Sequence, residues 1–243
     1  MSRLTVNASD FCSMLNVLAE TAYGKDDIPD YNSVYLAVTQ GEYGDEPGVR
    51  TLIAGYSMTL GAAGHSFMPA DGTLDNAVIG IPLEDVKSIV SIFGKRARKN
   101  KENEDYALTL TYDNQEETLE VSEYVAEFDQ SAFSLTVTQC PDGHGIVDGI
   151  KDTLNGKGIK QDVTDADGTP IPEGTVSVYT QQSLGTLAAV AKKTKTEIRL
   201  YQLGHPMSTI LFQSGVEGVM PFCRGYVNPI AANVEDTPTI PVM

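Results

Sequence analysis

The feature that most constrains this chain is a unit of fixed order that occurs twice. Between Ile79 and Val121 the apolar pattern predicts a strand, an amphipathic helix, a basic cluster and two further strands joined by a turn. Between Ser177 and Gln213 the same order returns, again with lysines where the helix ends. A repeat of about 100 residues is far longer than a solenoid period, so the pattern predicts two copies of one α+β domain.

Helix signals set the predicted boundaries inside these domains. A first helix is predicted with Ser9 or Asp10 as its N-cap, and a second begins at Pro82 and stops at Gly94. A later helix begins near Gln181, and its predicted inward side chains are Leu184, Leu187, Ala188 and Ala191. Predicted strands include Ser131–Gln139, with Phe133, Leu135 and Val137 inward, and Val216–Phe222. We therefore predict a first domain over 1–141, a second over 142–226 with a shortened first half, and a C-terminal tail over 227–243.

Charge is unevenly distributed along the chain. There are 17 basic and 33 acidic residues, a net charge of −16 that taken alone argues against a nucleic-acid partner. Eleven of the 17 basic residues nevertheless fall in three short stretches, 95–101, 151–160 and 192–195. Between Glu102 and Asp129 there are ten carboxylates and no lysine or arginine. This separation predicts a positive face that suits sequence-independent contact with a phosphate backbone, although solvated surface loops are the alternative interpretation.

Several function classes find no support in the sequence. No apolar run approaches the roughly 18 residues of a membrane span, and the N-terminus lacks a signal-peptide pattern. Three scattered cysteines do not form a disulfide framework or a zinc site, which is typical of a soluble cytoplasmic protein. No catalytic motif, metal site or cofactor site is predicted. A hydrolase that uses Asp142 and His144 is supported only by the proximity of these two residues in the sequence.

Three segments resemble the ring-shaped DNA sliding clamps, especially the bacterial β-clamp type and its phage relatives. They are Ile81–Phe93 (IPLEDVKSIVSIF), Ser131–Pro141 (SAFSLTVTQCP) and Pro206–Phe222 (PMSTILFQSGVEGVMPF), within a likeness that covers Leu4–Pro141 and Thr175–Phe222. The resemblance implies an α+β DNA-clamp fold, in which repeated helix-plus-antiparallel-sheet units form a closed ring with helices inside and sheets outside. It also implies a protein that is not an enzyme.

The resemblance further implies partners and site residues. The chain would encircle duplex DNA without sequence preference and would bind a DNA polymerase and a clamp loader through short peptide motifs. The implied DNA-binding residues are Lys87, Lys95, Arg96, Arg98, Lys99, Lys101, Lys151, Lys157, Lys192, Lys193 and Lys195. The implied partner-peptide pocket is Val219, Met220, Pro221 and Phe222, where methionine suits varied peptides.

Ring size and origin follow from the same resemblance. Clamp rings contain six domains, so two domains per chain favour a homotrimer over a dimer. The compact length favours a bacteriophage protein in the cytoplasm of a bacterial host. The alternative function is a β-rich viral structural or assembly protein without DNA contact, which fits the acidic charge and the many turns equally well.

Overall fold

The computed structural model describes residues 2–22, 31–44, 46–59, 61–74, 78–99, 106–124, 133–138, 140–157, 159–160, 164, 168–170, 179–205 and 208–229. The elements run in the order β1 (Ser2–Asn7), α1 (Ala8–Leu18), β2 (Ser33–Tyr43), β3 (Glu46–Met58), β4 (Ala62–Pro69), β5 (Asp71–Thr73), β6 (Val78–Pro82), α2 (Leu83–Lys99), β7 (Ala107–Asp113), β8 (Thr118–Glu123), β9 (Ser134–Val137), α3 (His144–Leu154), α4 (Gln181–Thr194), β10 (Ile198–Tyr201), β11 (Ile210–Ser214) and β12 (Cys223–Val227). The named strands pair antiparallel, which confirms the α+β class. Among the described helices, none has both the length and the apolarity needed to cross a membrane.

The strands form two sheets, and the chain crosses from one sheet to the other at α1 and again at α2. Sheet A has the order β5-β1-β7-β8-β9, and sheet B has the order β10-β11-β12-β4-β3-β2-β6. The strand after α1 pairs with the strand before α2, with Val34 opposite Ile81, and the strand after α2 pairs with the strand before α1, with Leu110 opposite Leu4. The units β1-α1-β2-β3-β4 and β6-α2-β7-β8-β9 are therefore two copies of one unit whose strands cross between the sheets.

A further copy follows in the second half of the chain. In its described part it consists of α4, β10, β11 and β12, which confirms the helix and strand order of the predicted repeat, while residues 171–178 lie outside the described ranges. Its last strand pairs with β4, the last strand of the first copy, so sheet B continues across the predicted domain boundary. Sequence analysis did not identify the N-terminal copy, because the glycines and the proline inside β2 and β3 are typical of turns.

Two predicted helix boundaries are wrong. Helix α1 begins one residue before Ser9 because the Asn7 side chain is its cap, accepting from the backbone N–H groups of Ser9 and Asp10 at 3.0 and 3.1 Å. Helix α2 does not stop at Gly94 but continues to Lys99. A glycine costs a helix interior only about 1 kcal/mol, and packing against α1 outweighs that cost. Lys95, Arg96, Arg98 and Lys99 therefore lie on the helix rather than after it.

The helices lie on both faces of sheet B. Helices α1, α2 and α4 share one core with the inner side chains of both sheets, among them Leu4, Leu36 and Leu110. The outer face of sheet B is also apolar, with Tyr35 and Ala37 alternating with the inner residues, and α3 covers it with Val147 and Ile150. Helices α1, α2 and α4 therefore lie on one face of sheet B, and α3 lies on the other.

Three finer predictions are also wrong. Helix α4 buries Ser183, Thr186, Val190 and Thr194, and the Thr194 hydroxyl hydrogen-bonds Ser214 of β11 at 2.7 Å. Of the predicted inward residues, Leu187 packs partly buried against the core, while Leu184 and Ala188 face solvent. Phe133 is exposed rather than inward, and the Arg96 guanidinium lies 4.5 Å from its ring centroid. The last strand in the described part of the chain is Cys223–Val227 and not Val216–Phe222.

Candidate nucleic-acid interface

The solvent-facing sides of α1, α2 and α4 form a surface that we call the basic helix face. Helix α2 carries five basic and two acidic residues, α4 carries two basic and no acidic residues, and α1 carries one acidic residue and no basic one. The three helices together therefore have a net charge of +4 in a chain of net charge −16. Helix α3, on the other side of sheet B, carries two acidic residues and one lysine. Among the described helices, the net positive charge thus lies on one side of sheet B, where it would attract phosphates.

Six of the predicted DNA-binding cations are exposed on or beside this face. Lys87, Lys95, Arg98 and Lys99 are solvent-exposed along α2, and Lys192 and Lys195 are exposed at the C-terminal end of α4. Cations near a helix C-terminus interact favourably with the helix dipole. The charges are therefore compatible with helix stability and are also available to a polyanion.

Arg96 has a structural contact instead. Its Nε lies 2.6 Å from Oε1 of Glu123, a carboxylate on β8 whose side chain is only 7% exposed. The Tyr106 hydroxyl donates to the same oxygen at 2.7 Å. Burial and the bond to Glu123 both raise the pKa of the Tyr106 phenol, which keeps it a protonated donor. Arg96 therefore joins α2 to sheet A, although its side chain remains 39% exposed.

Lys193 connects two helices of the basic helix face. Its Nζ donates to Oδ1 of Asn16 at 2.9 Å and lies 3.1 Å from Oε1 of Glu20. Asn16 lies within α1, and Glu20 lies just beyond its C-terminal end. This contact fixes α4 beside α1, and it engages the charge of Lys193 within the protein.

Two other predicted cations lie on the opposite side of sheet B. Lys151 is on α3, with its Nζ 5.5 Å from the ring centroid of Tyr56 in the outer core. Lys157 follows the same helix and pairs with Asp152 at 2.8 Å. The structure does not bring these lysines together with the basic helix face. Lys101 lies outside the described residues.

The four predicted pocket residues differ in their exposure. Val219 is 62% exposed, Met220 and Pro221 are half-buried and joined by a cis peptide bond, and Phe222 is buried in the outer core, 5.7 Å from Phe67. The backbone carbonyl of Phe222 accepts from the Ser66 hydroxyl at 2.6 Å. A shallow cleft does lie beside this segment, lined by Leu154, Tyr201, Leu211 and Arg224. Sequence analysis missed it because it forms only where α3 meets β10–β12.

His65 and His144 lie in very different surroundings. His65 is buried, and burial together with the nearby Arg224 and Lys151 lowers its pKa to about 3. Arg224 Nε donates to His65 Nδ1 at 3.0 Å, which requires a neutral ring. The His144 ring contacts Asp142 in an exposed position at the start of α3. Within the described part of the chain, no three metal-ligating side chains come together.

Comparison with known proteins concerns structure alone, since no protein-family model and no curated relative matches the sequence. The chain is similar to the DNA polymerase III β subunit of Thermotoga maritima, with a TM-score of 0.58 at 12% identity over 96% of this chain and 66% of that one. It is likewise similar to the β subunit from Pseudomonas aeruginosa, with a TM-score of 0.56 at 12% identity over 96% and 66% of the two chains. The β sliding clamp of C. crescentus gives a TM-score of 0.55 at 12% identity over 95% and 66%. The chain spans about two thirds of the length of these proteins, and it has the fold of the β sliding clamps.

Proposed function

We propose that this protein is a sliding clamp, a processivity factor that encircles duplex DNA and tethers a DNA polymerase without catalysing a reaction itself. The observation that carries the proposal is the charge of the three helices on one side of the sheets, net +4 in a chain of net −16. A weak, sequence-independent attraction to phosphates is what a protein linked topologically to DNA requires. The likeness to solved β clamps supports the same function.

The assembly that follows is a homo-oligomeric ring, with a trimer favoured over a dimer. The DNA-facing residues in this proposal are Lys87, Lys95, Arg98, Lys99, Lys192 and Lys195, which are exposed on or beside the basic helix face. Arg96 and Lys193 contribute by holding the helices in place. A polymerase and a clamp loader would bind outside the ring through short peptides, and we place the protein in the cytoplasm of a bacterium infected by the phage that encodes it.

The partner-binding segment in this proposal is Val219–Phe222. Val219 and half-buried Met220 are the side chains a peptide would contact, and the adjoining cleft with Leu154, Tyr201 and Leu211 offers further apolar surface. Buried Phe222 would fix the segment rather than touch the peptide.

Topological retention on DNA tests the proposal directly. Subunits dissociated in mild denaturant are reassembled in the presence of either nicked circular DNA or the same DNA linearised, then passed through a sizing column in high salt. We expect protein to remain on the circle and to leave the linear form, because salt removes phosphate contacts but not linkage. Equal retention on both, or retention on neither, contradicts the proposal. Large protein polymers without DNA would favour a viral assembly protein.

A further inference from the structure

We infer that the groove between α1 and α2 is a seat for one phosphate of the DNA backbone, formed by Ser9, Ser13, Asn16 and Arg98. The inference rests on the proposed clamp function and adds residues of α1 to it. The groove opens on the basic helix face and is lined by these four side chains together with Cys12, Val90 and Gly94. Three of the four polar residues lie outside every basic stretch of the sequence.

Close approach of the two helices creates the groove. Gly94 of α2 lies against Cys12 of α1, where a β-carbon at residue 94 would come within 3.5 Å of the Cys12 β-carbon. The missing side chain leaves an open trough above the helix contact, and Arg98 borders it one turn further along α2. Arg98 Nε donates to the Gly94 carbonyl at 3.1 Å, which holds the guanidinium beside the groove while its terminal nitrogens remain donors.

A contact with α4 determines which end of the Asn16 side-chain amide is available in the groove. Its Oδ1 accepts from Lys193 Nζ at 2.9 Å, so the amide NH₂ is the group that remains to donate to a ligand. The groove thus combines a guanidinium, an amide N–H and two hydroxyls, with the cation of Lys193 behind the amide. The acidic neighbour Glu20 is engaged with Lys193 at 3.1 Å.

This donor set fits a phosphodiester. Arginine, serine and asparagine side chains are common partners of phosphate oxygens in protein–DNA contacts. Because the donors come from two adjacent helices and contact no base edge, the seat would fix the position of the duplex without reading its sequence. A peptide carboxylate could use the same donors, but it would not give the salt dependence of a polyanion.

Asn16→Asp provides a test that separates a binding role from a structural one. The substitution removes the NH₂ donor and adds a negative charge in the groove, yet it retains an oxygen for Lys193, so the unfolding midpoint should be unchanged or raised. Asn114→Asp is the matched control, because it makes the same charge change in the exposed β7–β8 turn. The probe is a fluorescent duplex of about 30 base pairs, titrated by anisotropy at several salt concentrations.

We expect Asn16→Asp to weaken DNA binding by about tenfold and to reduce the slope of log K against log salt concentration by about one phosphate contact. The dissociation constant of Asn114→Asp should stay within about twofold of that of the original chain. If the original chain binds in a salt-dependent manner and the two variants bind alike, the phosphate seat is wrong and the clamp proposal stands. If the original chain shows no salt-dependent binding to this duplex, the phosphate seat is wrong, and the retention experiment on circular DNA decides the clamp proposal separately.

Discussion

Arg96 and Glu123 form an ion pair between α2 and β8, with Nε and Oε1 2.6 Å apart. The pair connects α2, which carries five of the seven basic residues on α1, α2 and α4, to sheet A, and the carboxylate is almost completely shielded from water. One member of the basic cluster thus stabilises the fold, whereas its neighbours Lys95 and Arg98 are exposed. A run of like charges in a sequence therefore contains residues with different roles.

Replacing Arg96 should reduce stability. In Arg96→Met the buried Glu123 carboxylate loses its cation, and an uncompensated buried charge is costly. We expect a clearly lower thermal unfolding midpoint, measured by circular dichroism, and partial recovery when Glu123→Gln is added. Lys95→Met, the same change at the exposed neighbouring position, should leave the midpoint unchanged. Equal midpoints for the two single variants would show that the ion pair does not stabilise the protein.

Gly94→Ala should stabilise the chain. Helix α2 passes through Gly94, and a β-carbon there meets Cys12 at an ordinary contact distance of 3.5 Å. Alanine should therefore contribute about 0.5–1 kcal/mol to the free energy of unfolding in a urea titration. Gly143→Ala is the contrast, because its β-carbon would lie 2.0 Å from the Tyr35 ring and must destabilise. A destabilised Gly94→Ala would indicate that the helix ends before this residue.

Substitutions at the two ends of the segment Val219–Phe222 should differ in their effect on the free energy of unfolding. Phe222→Ala empties a buried site against Phe67 and should cost about 3–5 kcal/mol of unfolding free energy. Val219→Ala, at an exposed position, should change it by less than about 0.5 kcal/mol. Chemical denaturation of both variants measures the difference. Similar losses would mean that Val219 belongs to the core.

Mild acid should destabilise the protein through His65. Its pKa is about 3 in the folded chain and about 6.5 when unfolded, so the unfolded state binds more protons between these values. Stability is therefore complete above pH 6.5 and falls by about 1.4 kcal/mol for each pH unit below it. Urea titrations at pH 7 and pH 5 should differ by roughly 2 kcal/mol from this residue. His65→Gln should flatten that dependence, and an unchanged slope would contradict the assignment.

The fold class and element order were predictable because amphipathic stripes such as Leu83, Val86 and Phe93 report local periodicity directly. The position of α3 could not be predicted, because its apolar stripe of Val147 and Ile150 does not show which face of the sheet the helix covers. For the same reason, Lys151 looked equivalent to Lys95 in sequence but lies on the other side of sheet B.

The candidate site shows the same limit. Exposed cations such as Lys99 and Lys192 could be identified from charge clustering alone. The ion pair of Arg96 with Glu123 depends on a contact across 27 positions, and the bond between Lys193 and Asn16 spans 177. Contacts that join distant parts of a chain leave no local pattern from which they could be predicted.

The central claim, that DNA lies against the basic helix face, is tested by two matched pairs of charge reversals. Lys95→Glu with Lys192→Glu changes that face, and Lys151→Glu with Lys157→Glu makes the same charge change on or beside α3. In titrations of duplex DNA at several low salt concentrations, we expect the first pair to weaken binding strongly and to lower the slope of log K against log salt concentration by about two phosphate contacts. The second pair should bind nearly as well as the original chain. Equal loss of binding in the two double variants would contradict the account.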